Sequence, residues 1–152
     1  MDDARPAARA RVWKTLAIAL CWVPPVTAVV LTVNWRQLLA IDLPTRWSGD
    51  AVTSTMPGWI VALGAIAISI VCSALATWAI NSTDAMPATL IFTAGLSAVA
   101  AAVWIFLGSE SMFGGADGGI TPLAAISPLL VLWGLLPWAL SRDGAHQRSQ
   151  EV

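Results

Sequence analysis

"GWIVALGAIAISIVCSALATWAI", Gly58 to Ile80, contains neither a charged residue nor a proline. An α-helix needs about 20 predominantly apolar residues to cross the hydrocarbon core of a bilayer. The run is too long for a strand and does not alternate at period two. It is therefore read as a transmembrane helix. Working outward, three more stretches meet the same test: Thr15 to Val33, Ala88 to Leu107 and Ile120 to Leu140. The sequence predicts an all-α integral membrane protein, a four-transmembrane-helix bundle with spans at about 15–33, 58–80, 88–107 and 120–140.

Composition agrees. The chain has 152 residues, of which 57% are hydrophobic and 11% charged. Ordinary globular domains carry about 25% charged residues, and a soluble fold could not cover its surface with so few. Net charge is −1 and the arginines are scattered, so nucleic-acid binding, which needs a clustered basic face, is not expected. Cys21 and Cys72 lie inside apolar runs with no Cys-x-x-Cys or Cys/His spacing. They read as small buried hydrophobes.

Arg5, Arg9, Arg11 and Lys14 precede the first span. By the positive-inside rule they place residues 1–14 in the cytoplasm. Arg142 and Arg148 place 141–152 there too, leaving 34–57 and 108–119 as outer loops. A charged segment before an apolar run also resembles a signal peptide. The run is longer than a usual signal core and no Ala-x-Ala site follows, so it is read as a retained span. Trp13, Trp35, Trp59, Trp78 and Trp138 fall near span ends, where amphipathic rings seat among headgroups. Trp22, Trp104 and Trp133 fall deeper and are read as lipid-facing or packing residues.

Lipid offers helices no hydrophobic reason to associate, so close approach along small residues is the usual device. Ala65, Ser69 and Ser73 recur every four residues in the second span, and Ala94, Ala98 and Ala102 in the third. The short link between these spans makes them antiparallel neighbours, and these faces are expected to meet. Pro24-Pro25 is expected to break the first helix near its middle, because neither ring nitrogen can donate. The freed carbonyls then need partners within the bundle.

Catalytic chemistry is missing from the pattern. No span holds an acid or base, the one histidine is His146 in a terminal tail, and no nucleophile, phosphate-loop or metal motif occurs. Neither an enzyme nor a cofactor is expected. Asp42, Asp50, Glu110 and Asp117 share the outer side, without the ligand spacing of a metal site.

One polar island remains, "LPTRWSGDAVTSTMP", Leu43 to Pro57. With the residues from Asn34 it makes a connection long enough to suggest a function or structure of its own. Trp35, Leu38, Leu39 and Leu43 recur near helical spacing at its start, as in a segment lying in the interface. Pro44, Arg46, Trp47 and Asp50 are the candidate partner-binding residues, with Arg46 placed to pair with Asp50 or a lipid phosphate.

"LAIDLPTRWSGDA", Leu39 to Ala51, resembles the signature loop of an uncharacterised bacterial membrane family, a domain of unknown function that also forms the N-terminal part of SdpI-type immunity proteins. Leu39, Asp42, Pro44 and Trp47 occupy matching places, Leu43 stands for an isoleucine, and Thr45 and Ser48-Gly49 match a common version. Ala40 replaces a proline, Arg46 a histidine and Ala51 a glycine, and the family's aspartate would fall near Ser54. The resemblance covers one loop after the first span. It implies a small helical membrane protein in immunity, signalling or transporter-associated roles, in the bacterial plasma membrane. Loss of the histidine puts any proton- or metal-linked role of that loop in doubt.

Three functions fit. The first is a non-enzymatic accessory or immunity-type protein that acts by contact on another membrane protein or an incoming peptide. The second is a structural subunit of a larger respiratory or transport complex. The third, a small transporter, ranks last, because a pore needs polar lining and the spans offer only serine and threonine.

Overall fold

The computed structural model describes residues 4–48, 51–82, 86–113 and 132–146. The chain runs through α1 (Ala4–Asn34), a 3-10 turn (Arg36–Ala40), β1 (Asp42–Ser48), β2 (Ala51–Pro57), α2 (Gly58–Asn81), α3 (Pro87–Phe113) and α4 (Leu135–His146). Among the described residues, three helical segments are long and apolar enough to cross a membrane: Arg11–Asn34, Gly58–Asn81 and Pro87–Met112. Most of the fourth expected span, 120–131, lies outside the described residues.

Four expectations need correction. Pro24 and Pro25 lie inside α1, which continues through them as one helix. One of the two carbonyls left without a backbone donor, that of Cys21, takes its hydrogen bond from Ser73 on the neighbouring α2. The second outer loop starts later than expected, because α3 carries its helix past Leu107 to Phe113. The helix near the chain's end likewise runs on past Leu140 to His146. The fourth concerns the island. It is no irregular connection but a 3-10 turn followed by an antiparallel hairpin, β1 with β2, so the all-α description holds for the bundle alone.

The hairpin pairs Asp42 with Pro57, Leu43 with Met56, Pro44 with Thr55, Arg46 with Ser54, Trp47 with Val52 and Ser48 with Ala51. The register slips between Pro44 and Arg46 and again between Arg46 and Trp47. Thr45 and Thr53 are the residues left over, one in each strand, as in β-bulges. Thr45 Oγ1 donates to the Ser54 carbonyl at 3.3 Å, across the irregularity.

The bundle interior has two apolar ends. At the hairpin end, Ala28, Leu38, Leu43, Ala62, Ala65, Ala101, Trp104 and Leu107 form one buried cluster. At the other end Cys21, Ala76, Ala79, Leu90 and Ala94 form a second, with Ile80 and Trp138 packed on it. Between them α2 and α3 meet along a polar seam. Hydroxyls elsewhere turn inward to their own helix: Thr15, Thr27, Thr32, Thr77 and Thr93 each donate to the carbonyl four residues back. In lipid, where water is scarce, this satisfies the hydroxyl locally.

Candidate functional site: a clamped hairpin above a serine seam

The hairpin is joined to the bundle by two leucines and a glycine. Leu38 of the 3-10 turn and Leu43 of β1 are fully buried against Ala62, Ala65, Ala101 and Trp104. This corrects the reading of these side chains as an interfacial stripe: the protein core covers them. Gly58 opens α2 where the turn crosses it. A Cβ there would overlap the Leu38 carbonyl, so glycine alone permits the approach. The Gly58 N–H donates to the Ile41 carbonyl at 2.9 Å, fixing the entry to β1 against the start of α2. Gln37 Nε2 reaches Met112 Sδ on α3 at 3.2 Å, and a Cβ on Gly108 would come within 2.7 Å of the Trp35 ring.

Beyond this clamp the hairpin faces outward. Every residue of β2 from Ala51 to Met56 is exposed, as are Asp42, Arg46 and Ser48 on β1. Of the candidate binding residues, Pro44 is half-buried and Arg46 exposed, and the backbone of Trp47 lies in β1 opposite Val52. Asp50, and with it the expected Arg46–Asp50 pair, lies outside the described residues, as does Asp117. Among the described residues no group of three His, Cys, Asp or Glu side chains is placed to hold a metal.

In the seam, Ala65, Ser69, Ser73, Ala94 and Ala98 are buried, and Ala102 is half-buried. Ala101 takes the buried position in its place. Sequence reasoning also missed Ser97, which is fully buried between the other two serines. Ser69 Oγ lies 2.8 Å from Ser97 Oγ, and Ser73 Oγ 2.9 Å from it. The Ser69 and Ser97 hydroxyls also each lie 3.1 Å from the other's carbonyl oxygen. The buried positions 94, 97, 98 and 101 step by three and four, as a helix face does. A strict count of four drifts off that face by Ala102.

Trp22 and Trp104 illustrate two fates of a deep indole. Trp22 is partly exposed and its Nε1 donates to Thr77 Oγ1 at 3.1 Å. Trp104 is fully buried and its Nε1 finds no acceptor among the described residues.

Span residues 15–33, 58–80 and 88–107 hold no acid, base or histidine, and the seam hydroxyls are engaged with one another. Each strand of a two-stranded sheet keeps one edge free, and such an edge is a template for pairing with another chain. Comparison with protein-family models, with curated proteins and with solved structures finds no match to this chain.

Proposed function

We propose that this chain is a non-enzymatic, multi-pass protein of the bacterial plasma membrane that acts by contact. It presents the hairpin outside the cell to another membrane protein or an incoming peptide, in an accessory or immunity-type role. Both termini are cytoplasmic, an orientation supported by the basic residues before α1. One observation carries the reading: the hairpin is fastened to the bundle by Leu38, Leu43 and Gly58 while its second strand stays exposed. A linker needs no such fastening. A transporter has less support, since Ser69, Ser73 and Ser97 bond one another rather than lining a path.

The test places photo-crosslinking residues in cells at Arg46, at Thr53 and, as a lipid-facing control, at Val71. Defined adducts from the hairpin positions, lost on Trp47→Ala at matched membrane levels, are expected. Central interface tryptophans commonly contribute about 2 kcal/mol or more. An exposed ion pair contributes about 0–1 kcal/mol, so Arg46→Ala should weaken recovery less. Adducts from Val71 alone would move the contact to the helices and favour the structural-subunit reading.

A further inference from the structure

In an α-helix the carbonyl of one residue accepts the N–H four residues on. Pro24 and Pro25 have no N–H. The carbonyls of Leu20 and Cys21 therefore lose their normal donors, side by side, in the middle of α1. An unpaired carbonyl in a membrane interior is costly. Ser73 of α2 donates its hydroxyl to the Cys21 carbonyl at 2.6 Å, and both residues are fully buried.

A count of protons orders the end of the seam. A serine has one hydroxyl proton, and a carbonyl oxygen can only accept. The Ser73 proton is thus committed to Cys21. Toward Ser97 Oγ, 2.9 Å away, Ser73 can then only accept, so a bond between them carries the Ser97 proton. Ser69 Oγ and Ser97 Oγ lie 2.8 Å apart, and each hydroxyl also has the other's carbonyl at 3.1 Å as an acceptor. The direction is fixed at the end of the seam, where Ser73 of α2 donates to the Cys21 carbonyl of α1, with Ser97 of α3 placed to donate to Ser73. Bonds aligned in this way polarise one another.

We propose that Pro25 and Ser73 form an interhelical latch. Pro25 removes a rung from α1, and Ser73 supplies the missing donor from α2. The gap that Pro25 leaves in α1 is closed by another helix instead of by α1 itself. Beside the Trp22–Thr77 bond and the apolar contacts of Ala28 and Cys21, this hydroxyl helps set α1 against α2.

The latch predicts a coupling that ordinary packing does not. Ser73→Ala should lower the folding equilibrium constant of the full chain in mild detergent by about threefold to twentyfold, the range of interhelical hydrogen bonds in membranes. Pro25→Ala returns a backbone N–H to Cys21, so Ser73→Ala in that background should cost markedly less. Pro24→Ala is the control. Its restored N–H faces Leu20, so Ser73→Ala there should keep its full cost. Equal cost in all three backgrounds would overturn the latch.

A spectroscopic reading covers the case in which a proline variant fails to fold. Carbonyl-labelled cysteine in a Cys72→Ala chain isolates the Cys21 amide I band. Loss of a hydrogen bond raises that frequency, so Ser73→Ala should shift the band upward, and Ser97→Ala should shift it less. A Cys21 band unmoved by Ser73→Ala would overturn the proposal whatever the proline variants do.

Discussion

The hairpin end and the middle of this bundle solve the same problem by different chemistry. Helices in lipid must be held without the help of water exclusion. In the middle, small residues bring α2 and α3 together and serine hydroxyls bridge them, with one bond reaching α1. At the hairpin end the fill is large and apolar. Trp104 and Leu107 meet two leucines delivered by the polar connection itself. The middle therefore depends on bonds and the end on volume. The difference teaches that the connection between α1 and α2 is part of the core, although its composition reads as solvent-facing.

The largest effect should come from the end that depends on volume. Leu43→Ala removes a fully buried side chain and is expected to cost about 2–5 kcal/mol, the usual range for emptying a leucine site. Urea or thermal unfolding in detergent would measure it. A cost near zero would return the hairpin to the status of a loose connection.

Glycines sharpen the comparison next. Gly58→Ala drives a Cβ into the Leu38 carbonyl, whereas a Cβ on Gly64 would meet nothing within 4 Å. The first should destabilise by about 1–3 kcal/mol, as overpacked sites do. The second should stabilise by about 0.5–1 kcal/mol, since glycine weakens a helix relative to alanine. Matching effects at the two positions would contradict the close approach at Gly58.

For the middle, Ser69→Leu should cost about 1–3 kcal/mol, because the site is fully buried with its hydroxyl engaged. Ile70→Leu on the adjacent exposed position should cost less than about 1 kcal/mol. Equal tolerance would remove the seam from the account. The smallest effect is expected at Trp104→Phe. The lost volume is destabilising, but the substitution also removes an indole N–H that finds no acceptor among the described residues, a defect worth about 1–3 kcal/mol. The two should offset to within about 1 kcal/mol.

Much of the bundle was legible because it depends on run length and charge, which a single sequence displays openly. Gly58 to Ile80 could be nothing but a long helix. The hairpin was not legible, for a physical reason. Its strands carry Pro44 and two bulge residues, which erase the period-two alternation that marks a strand. One signal was present: Gly49-Asp50 between the two segments is a dipeptide of the kind that two-residue hairpin turns favour. The leucines of the island looked interfacial because their spacing says only that they share a face, not what covers it. Ser97 was missed because it breaks the alanine ladder around it. Conversely, the need of the α1 carbonyls for partners followed from Pro24-Pro25 alone, while the identity of the donor required the fold.

The central claim is that the polar connection is a folded element fastened to the bundle. Hydrogen–deuterium exchange of the full chain in lipid nanodiscs tests it most directly. The account predicts slow exchange for peptides spanning Leu38 to Leu43 and the paired amides of β1 and β2, with protection lost throughout the hairpin in Leu43→Ala. Immediate exchange across residues 38–57 of the unaltered chain, while α2 and α3 stay protected, would contradict it.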